Sequence, residues 1–111
     1  MQELVFQIQG SAPEPYEVRI VQREGNNLSA YCTCPAADSG KHCKHRVGIL
    51  TGKPEGIVGK RDIDISTVQS WVRGTDIENV LHELKKAEDH LESIKNEVAR
   101  LKKSLAKTML D

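Results

Sequence analysis

The hydrophobic positions of the N-terminal third of the chain alternate with polar ones. LVFQI (4–8) and YEVRIVQR (16–23) carry β-branched and aromatic residues with alternating polarity, and LSAYC (28–32) alternates again. This period is typical of strands that bury one face. The pattern predicts three strands, with a turn at EGNN (24–27) that makes residues 16–32 a hairpin.

The spacing becomes helical after the hairpin. RVGILTG (46–52) has apolar positions that suit a helix of about two turns, ended by its second glycine. Residues 53–64 are rich in glycine, proline and charge, which indicates a connector. A brief helix is expected after it, capped by Ser66 and closed by Gly74.

The C-terminal third predicts one long helix. Thr75 and Glu78 form a capping box, and neither glycine nor proline follows up to Asp111. The apolar positions step alternately by three and four residues, which is a heptad seam of about five repeats. They are Ile77, Val80, Leu84, Ala87, Leu91, Ile94, Val98, Leu101, Leu105 and Thr108.

These elements predict an α+β fold in three parts, a strand-based domain at 1–52, a connector at 53–75 and the amphipathic helix at 76–111. With 111 residues and 4% aromatic residues, the chain has a thin core that needs a metal, a disulfide or a partner. Sixteen basic residues balance sixteen acidic ones, so the net charge favours no class of partner. No secretory leader or membrane span is recognisable, and we expect a soluble cytoplasmic protein.

All three cysteines lie within residues 32–43. Cys32 and Cys34 form a CxC pair, and Cys43 and His45 form a CxH pair. Structural zinc takes four Cys or His ligands, so this set can hold one Zn²⁺ ion, with His42 as an alternative fourth ligand. A buried thiol cluster or a labile disulfide is the other interpretation, which a reducing compartment disfavours.

The order CxC, spacer, CxH, with proline after the second cysteine and a short apolar helix after the histidine, resembles the SWIM zinc finger. The resemblance covers residues 16–51 and implies a β-β-α finger with Cys32, Cys34, Cys43 and His45 as zinc ligands. SWIM fingers are associated with DNA binding and protein interaction, usually as appendages of larger ATPases, transposases or recombination-related proteins. We recognise no such enzymatic segment here.

An enzyme is the less favoured interpretation. Catalytic zinc needs an open coordination position, and the four protein donors fill all positions. A nucleophilic Cys43, activated by His42 or His45, needs a cleft and a third orienting group. We therefore expect a binding module without catalytic residues.

Basic residues surround the predicted ligands, since residues 41–61 contain six basic side chains and one acidic one. Such a rim can bind a nucleic-acid backbone beside the N-terminus of the short helix. Alternatively, the charges only offset the thiolates of a zinc centre. The residues expected to contact nucleic acid or a partner, here called the basic rim, are Lys41, Lys44, Arg46, Lys60 and Arg61.

The long helix is polarised, because residues 76–93 carry a charge of −4 and residues 94–110 a charge of +4. Antiparallel pairing of two copies places acidic beside basic halves, whereas a parallel pair sets Glu83 against Glu88. We expect a homodimer formed through Leu84, Leu91, Ile94, Val98, Leu101 and Leu105. Two functions follow, an adaptor that contacts nucleic acid or a nucleic-acid-processing protein, or a protein-only regulator whose helix binds a target protein while the zinc is purely structural.

Overall fold

The computed structural model describes residues 1–25 and 27–110. It divides into two compact units, Met1–Glu78, here called the finger unit, and a second unit that begins at Asn79, here called the helix unit. The predicted α+β class is confirmed, with a small antiparallel sheet near the N-terminus and one long helix at the C-terminal end.

Three strands form the sheet of the finger unit in the order β1-β2-β3, which are Gln2–Ile8, Tyr16–Gln22 and Leu28–Cys32. Both pairings are antiparallel. The predicted EGNN turn includes Asn26, which lies outside the described residues. The alternation seen in the sequence is the burial pattern of the sheet, since Phe6, Ile8, Val18 and Ile20 are each at most 1% exposed.

Three short helices complete the finger unit, α1 at Pro35–Asp38, α2 at Lys44–Thr51 and α3 at Asp62–Val72. The predicted helix after the histidine is confirmed as α2, and it ends at Gly52, whose φ of 77° is left-handed. The one-turn helix α1 lies in the spacer between the two ligand pairs and was not predicted.

The expected cap at Ser66 is wrong. Helix α3 begins at Asp62 with Arg61 as its N-cap residue, so Ser66 lies inside it. Tertiary packing explains the earlier start. The buried stripe of α3 begins at Ile65, so the helix must already be formed before that residue to direct its side chain into the core. The buried residues of α3 are Ile65, Val68, Trp71 and Val72.

The connector before α3 packs along β1. The N–H of Gln9 donates to the carbonyl of Gly56 at 2.7 Å, and the N–H of Val58 donates to the carbonyl of Gln7 at 2.9 Å. Part of the outer edge of β1 is therefore paired, which protects an edge strand from unwanted pairing.

The long helix α4, Asp76–Thr108, begins at the predicted capping box. The N–H of Glu78 donates to Thr75 Oγ1 at 3.3 Å, and the Glu78 carboxylate accepts from the N–H of Gly74 at 3.2 Å. The last residue of the predicted span, Asp111, lies outside the described residues. Among the residues that the structure describes, no helix is both long enough and apolar enough to cross a membrane.

Candidate metal centre

Two junctions between elements position the four predicted ligands. Cys32 ends β3 and Cys34 immediately precedes α1. Cys43 is the N-cap residue of α2, and His45 is the second residue of that helix. Cys34 and Cys43 both have extended backbone, with ψ of 158° and 114°, and a helix begins directly after each.

The four donor atoms lie within 4.8 Å of one another. Cys34 Sγ and Cys43 Sγ are 3.4 Å apart, and His45 Nδ1 lies 3.9 Å from Cys32 Sγ and 3.8 Å from Cys43 Sγ. The three cysteines are free thiols. The predicted grouping of Cys32, Cys34, Cys43 and His45 is therefore what the fold brings together.

These separations fit a tetrahedral zinc ion. Bond lengths of about 2.3 Å to sulfur and about 2.0 Å to nitrogen require about 3.8 Å between two sulfurs and about 3.5 Å between sulfur and nitrogen. The observed distances of 3.4–3.9 Å lie close to those edges. A disulfide bond measures only about 2.05 Å, so the arrangement suits a metal rather than a covalent pair.

Two of the three sulfur donors are buried, since Cys34 and Cys43 are 3% and 2% exposed. Cys32 and His45 are half-buried. All four donors come from protein, which is the arrangement of a structural zinc site rather than of a catalytic one. His42 is exposed and is not part of the cluster.

The surroundings shift the pKa values of three of the donors, and not all in the same direction. Burial raises the pKa of Cys32 to about 12, and the thiols of Cys34 and Cys43 add to this. Burial would also raise the pKa of Cys43, but the backbone N–H groups of Arg46 and His45 and the neighbouring thiols hold it below its usual value. Burial lowers the pKa of His45 and so favours the neutral ring that binds metals.

The backbone also interacts with the sulfur atoms of the cluster. The N–H of Cys34 points to Cys32 Sγ at 3.5 Å. The backbone N–H groups of His45 and Arg46, at the start of α2, help to lower the pKa of Cys43. Phosphate binding at this helix N-terminus stays a prediction.

Tyr16 and Gly10 hold the histidine ring, and sequence reasoning missed both. The rings of Tyr16 and His45 are 5.1 Å apart at a tilt of 39°. A Cβ at Gly10 would lie 2.8 Å from the Tyr16 ring and 3.5 Å from His45 Nε2. Only glycine fits closely here. The signal available was the aromatic first residue of β2, which we had assigned only to the strand.

One residue of the basic rim, Arg46, forms hydrogen bonds within the finger unit. Arg46 donates to the carbonyl of Ala30 at 3.3 Å and to that of Lys41 at 2.9 Å, which ties the loop between the ligand pairs to β3. Lys41 and Lys44 are exposed. A depression of about 560 Å³ beside them is lined in part by His42, Lys44 and Lys53, with Glu55 as its acidic residue.

The other part of the basic rim lies at the start of α3. Arg61 forms an ion pair with Asp64 at 2.9 Å, and its guanidinium lies 4.6 Å from the centre of the Phe6 ring. Lys60 is exposed beside Asp62. The positive charge of this part is locally balanced, so the rim consists of two unlike patches.

A second feature that sequence reasoning missed is an aromatic side chain on the open face of the sheet. The Arg19 guanidinium lies 5.2 Å from the centre of the Tyr31 ring, and Arg23 donates to the Tyr31 hydroxyl at 3.1 Å. This hydrogen bond, with smaller effects of Ser29 and of the charges, lowers the pKa of Tyr31. The register of β2 against β3 creates the pair, and sequence spacing alone does not reveal it.

The residues proposed for oligomerisation all belong to α4, and none of them is buried. Leu84 is half-buried. The others are exposed by 42–58%, and they are Leu91, Ile94, Val98, Leu101 and Leu105.

Comparison with known families supports the resemblance drawn from the cysteine pattern. The family model of the SWIM zinc finger matches residues 14–51, which include β2, β3, α1 and α2. Comparisons with curated proteins and with solved structures found no significant match.

Proposed function

We propose that this chain, whose residues 14–51 form a SWIM zinc finger, is a non-enzymatic adaptor of the cytoplasm. In this proposal the finger contacts nucleic acid or a nucleic-acid-processing protein, and α4 joins two chains into a homodimer. The observation that carries the proposal is the enclosed group of four protein donors with exposed lysines beside it.

The zinc ion, when bound, supplies a cross-link between the two ligand pairs. Cys32 and Cys34 hold one side at the end of β3, and Cys43 and His45 hold the other side at the start of α2. Because the apolar core of the finger unit is small, metal binding contributes much of its folding free energy. The finger would then present its surface residues in one arrangement.

Lys41 and Lys44 are the residues most suited to phosphate contact. Both are exposed, and neither forms an ion pair among the described residues. Lys53 lines the same depression as Lys44 and could add a third contact. Arg46 supports this patch from within, because its guanidinium already binds two backbone carbonyls.

The salt dependence of nucleic-acid binding tests the proposal. Three phosphate contacts on duplex DNA predict a slope of about −2.7 when the logarithm of the association constant is plotted against that of the salt concentration. Fluorescence anisotropy with a labelled duplex and a labelled single strand would measure the slope. Lys41→Glu with Lys44→Glu should abolish binding and leave the zinc content at one ion per chain.

Two further variants act as controls. Lys103→Glu makes one such charge reversal in α4 and should leave binding by the finger nearly unchanged. Lys60→Glu tests the second patch and should have a small effect, because Asp62 and Asp64 already lie beside it. If the Lys41 and Lys44 variants bound nucleic acid as well as the parent, the basic rim would not be the contact surface.

The alternative, a protein-only regulator, is favoured by one observation. Two of the five rim residues are engaged within the finger unit, Arg46 with backbone carbonyls and Arg61 with Asp64. In this case zinc only maintains the fold and the apolar seam of α4 binds a target protein. Such binding would change little between low and high salt, which separates it from phosphate contact.

A further inference from the structure

The apolar seam of α4 is uncovered in the single chain. Six of its large side chains are exposed by 42–61%, which are Val80, Leu91, Ile94, Val98, Leu101 and Leu105. They recur at heptad spacing along a helix of 33 residues. A seam of this length favours another helix, because an uncovered apolar stripe exposes area that pairing would bury.

The charges of α4 indicate what kind of helix fits it. The N-terminal half has six acidic and two basic residues, and the C-terminal half, residues 94–110, has five basic and one acidic. The two sums, −4 and +4, are equal and opposite. An unrelated partner has no reason to match this division, whereas a reversed copy of the same helix matches it throughout.

We propose that α4 pairs antiparallel with α4 of a second copy, in a register centred between Glu92 and Ser93. The inference rests on the proposed function, in which α4 joins two chains, and it specifies how they join. In this register Leu91 lies opposite Ile94 of the second copy, Leu84 opposite Leu101, and Val80 opposite Leu105. Each of these six large residues thus meets another large apolar residue, and only Ile77, at the end of the seam, meets a polar one, Thr108.

Ala87 supports the same register. It is the smallest residue of the seam, and it lies opposite Val98 of the second copy on both sides of the centre. A small residue opposite a branched one keeps the two helices at a uniform separation.

The flanking positions distinguish antiparallel from parallel pairing. In the antiparallel register, Glu88 lies beside Lys95 of the second copy and His90 beside Glu97, and each pair occurs twice. A parallel pair would instead set Glu83 against Glu88 and His90 against Lys95, with only Glu97 and Lys102 in a favourable contact. The antiparallel register therefore gains the Glu88–Lys95 attraction twice and avoids the Glu83–Glu88 repulsion of a parallel pair.

Charge exchange at one pair tests the proposal in the full zinc-loaded chain. We expect Glu88→Lys to weaken dimerisation about tenfold, because two attractive pairs become repulsive. Lys95→Glu should have the same effect, and the double variant should restore the parent affinity. An equal mixture of the two single variants should form heterodimers. Sedimentation equilibrium at low salt measures each constant, and circular dichroism verifies that the helix remains.

The possible outcomes separate this inference from the rest of the proposed function. Tighter dimerisation of Glu88→Lys would mean that a repulsion between Glu83 and Glu88 had been removed. That result would overturn the antiparallel arrangement. Equal affinity in all variants would overturn the register. A parent chain that stays monomeric at tens of micromolar would overturn the inference together with helix-mediated joining. Nucleic-acid contact by Lys41 and Lys44 would still stand or fall by its own salt test.

Discussion

The finger unit and the helix unit differ in where their apolar residues lie. The finger unit buries a small set of aliphatic residues with one Phe and one Trp, and it adds the Cys and His cluster beside them. In α4 the apolar residues form a seam, and none of the described side chains of that helix is buried. In the proposed function, one metal ion completes the first unit and a second helix covers the seam of the second.

The two units differ in how a short chain obtains stability. A core of this size supplies only a few kcal/mol, so a cross-link adds what burial lacks. A single helix gains stability when its apolar seam is buried against a partner. If the proposal holds, each unit depends on a different addition, and removal of one addition should leave the other unit largely intact.

The largest effect we expect is the loss of zinc from the finger unit. Structural zinc contributes on the order of 10 kcal/mol to folding in small fingers. His45→Ala should reduce the metal content below one ion per chain and unfold the finger unit, as seen by loss of dispersed amide resonances. The helical circular dichroism of α4 should persist in part.

The matched control for this change is His42→Ala. His42 is exposed and outside the donor cluster, so this variant should retain its zinc and its fold. Equal zinc loss in both variants would contradict the assignment of His45 as the fourth ligand.

The second largest effect should come from a charge in the seam of α4. Leu91→Asp places a carboxylate in the apolar layer next to the proposed centre, and we expect dimerisation to weaken by at least about 100-fold. Sedimentation equilibrium would measure the change, and zinc content should stay at one ion per chain. An unchanged mass at micromolar concentration would rule out pairing through the seam.

A pair of changes in α3 compares buried with exposed positions inside the finger unit. Ile65 is 8% exposed and Ile63 is 82% exposed. Ile65→Ala should lower the free energy of unfolding by about 2–4 kcal/mol because it leaves a cavity. Ile63→Ala should change it by less than about 0.5 kcal/mol. Thermal unfolding of the zinc-loaded chain would measure both, and equal losses would mean that Ile63 is covered in solution.

The smallest expected effect concerns the N-terminus of α4. Thr75 is 3% exposed, donates to the carbonyl of Val72 at 2.6 Å and accepts from the N–H of Glu78 at 3.3 Å. Thr75→Ala should cost about 1 kcal/mol of stability, and Thr75→Ser should recover most of it. Hydrogen exchange at the first turn of α4 would detect the difference. Equal exchange in all three chains would show that the cap does not matter.

Much of the fold followed from local pattern. Alternation predicted the three strands, and the glycine at the end of α2 and the capping box of α4 marked helix ends that the structure confirms. The cap at Ser66 was wrong, because burial of Ile65 and Trp71 against the rest of the finger unit decides where α3 begins. The sequence pattern also did not predict α1, a single turn with no buried residue.

For the candidate site too, the sequence predicted some features and missed others. The spacing of the cysteines and the histidine identified the donor set, because ligand types at short intervals leave few alternatives. It did not identify Tyr16 and Gly10 beside the His45 ring, which lie far from it along the chain and meet it only in the folded sheet. It also could not show that Arg46 binds backbone carbonyls rather than solvent.

The sequence by itself determined the order of the strands and of the helices α2, α3 and α4, the three cysteine donors and the opposite charges of the two halves of α4, since each depends on residues close together along the chain. Only the tertiary structure decided which nitrogen of His45 faces the sulfurs, where α3 begins and which basic residues stay exposed. The physical reason is that these features depend on strand register and on burial between distant segments, which local periodicity does not encode.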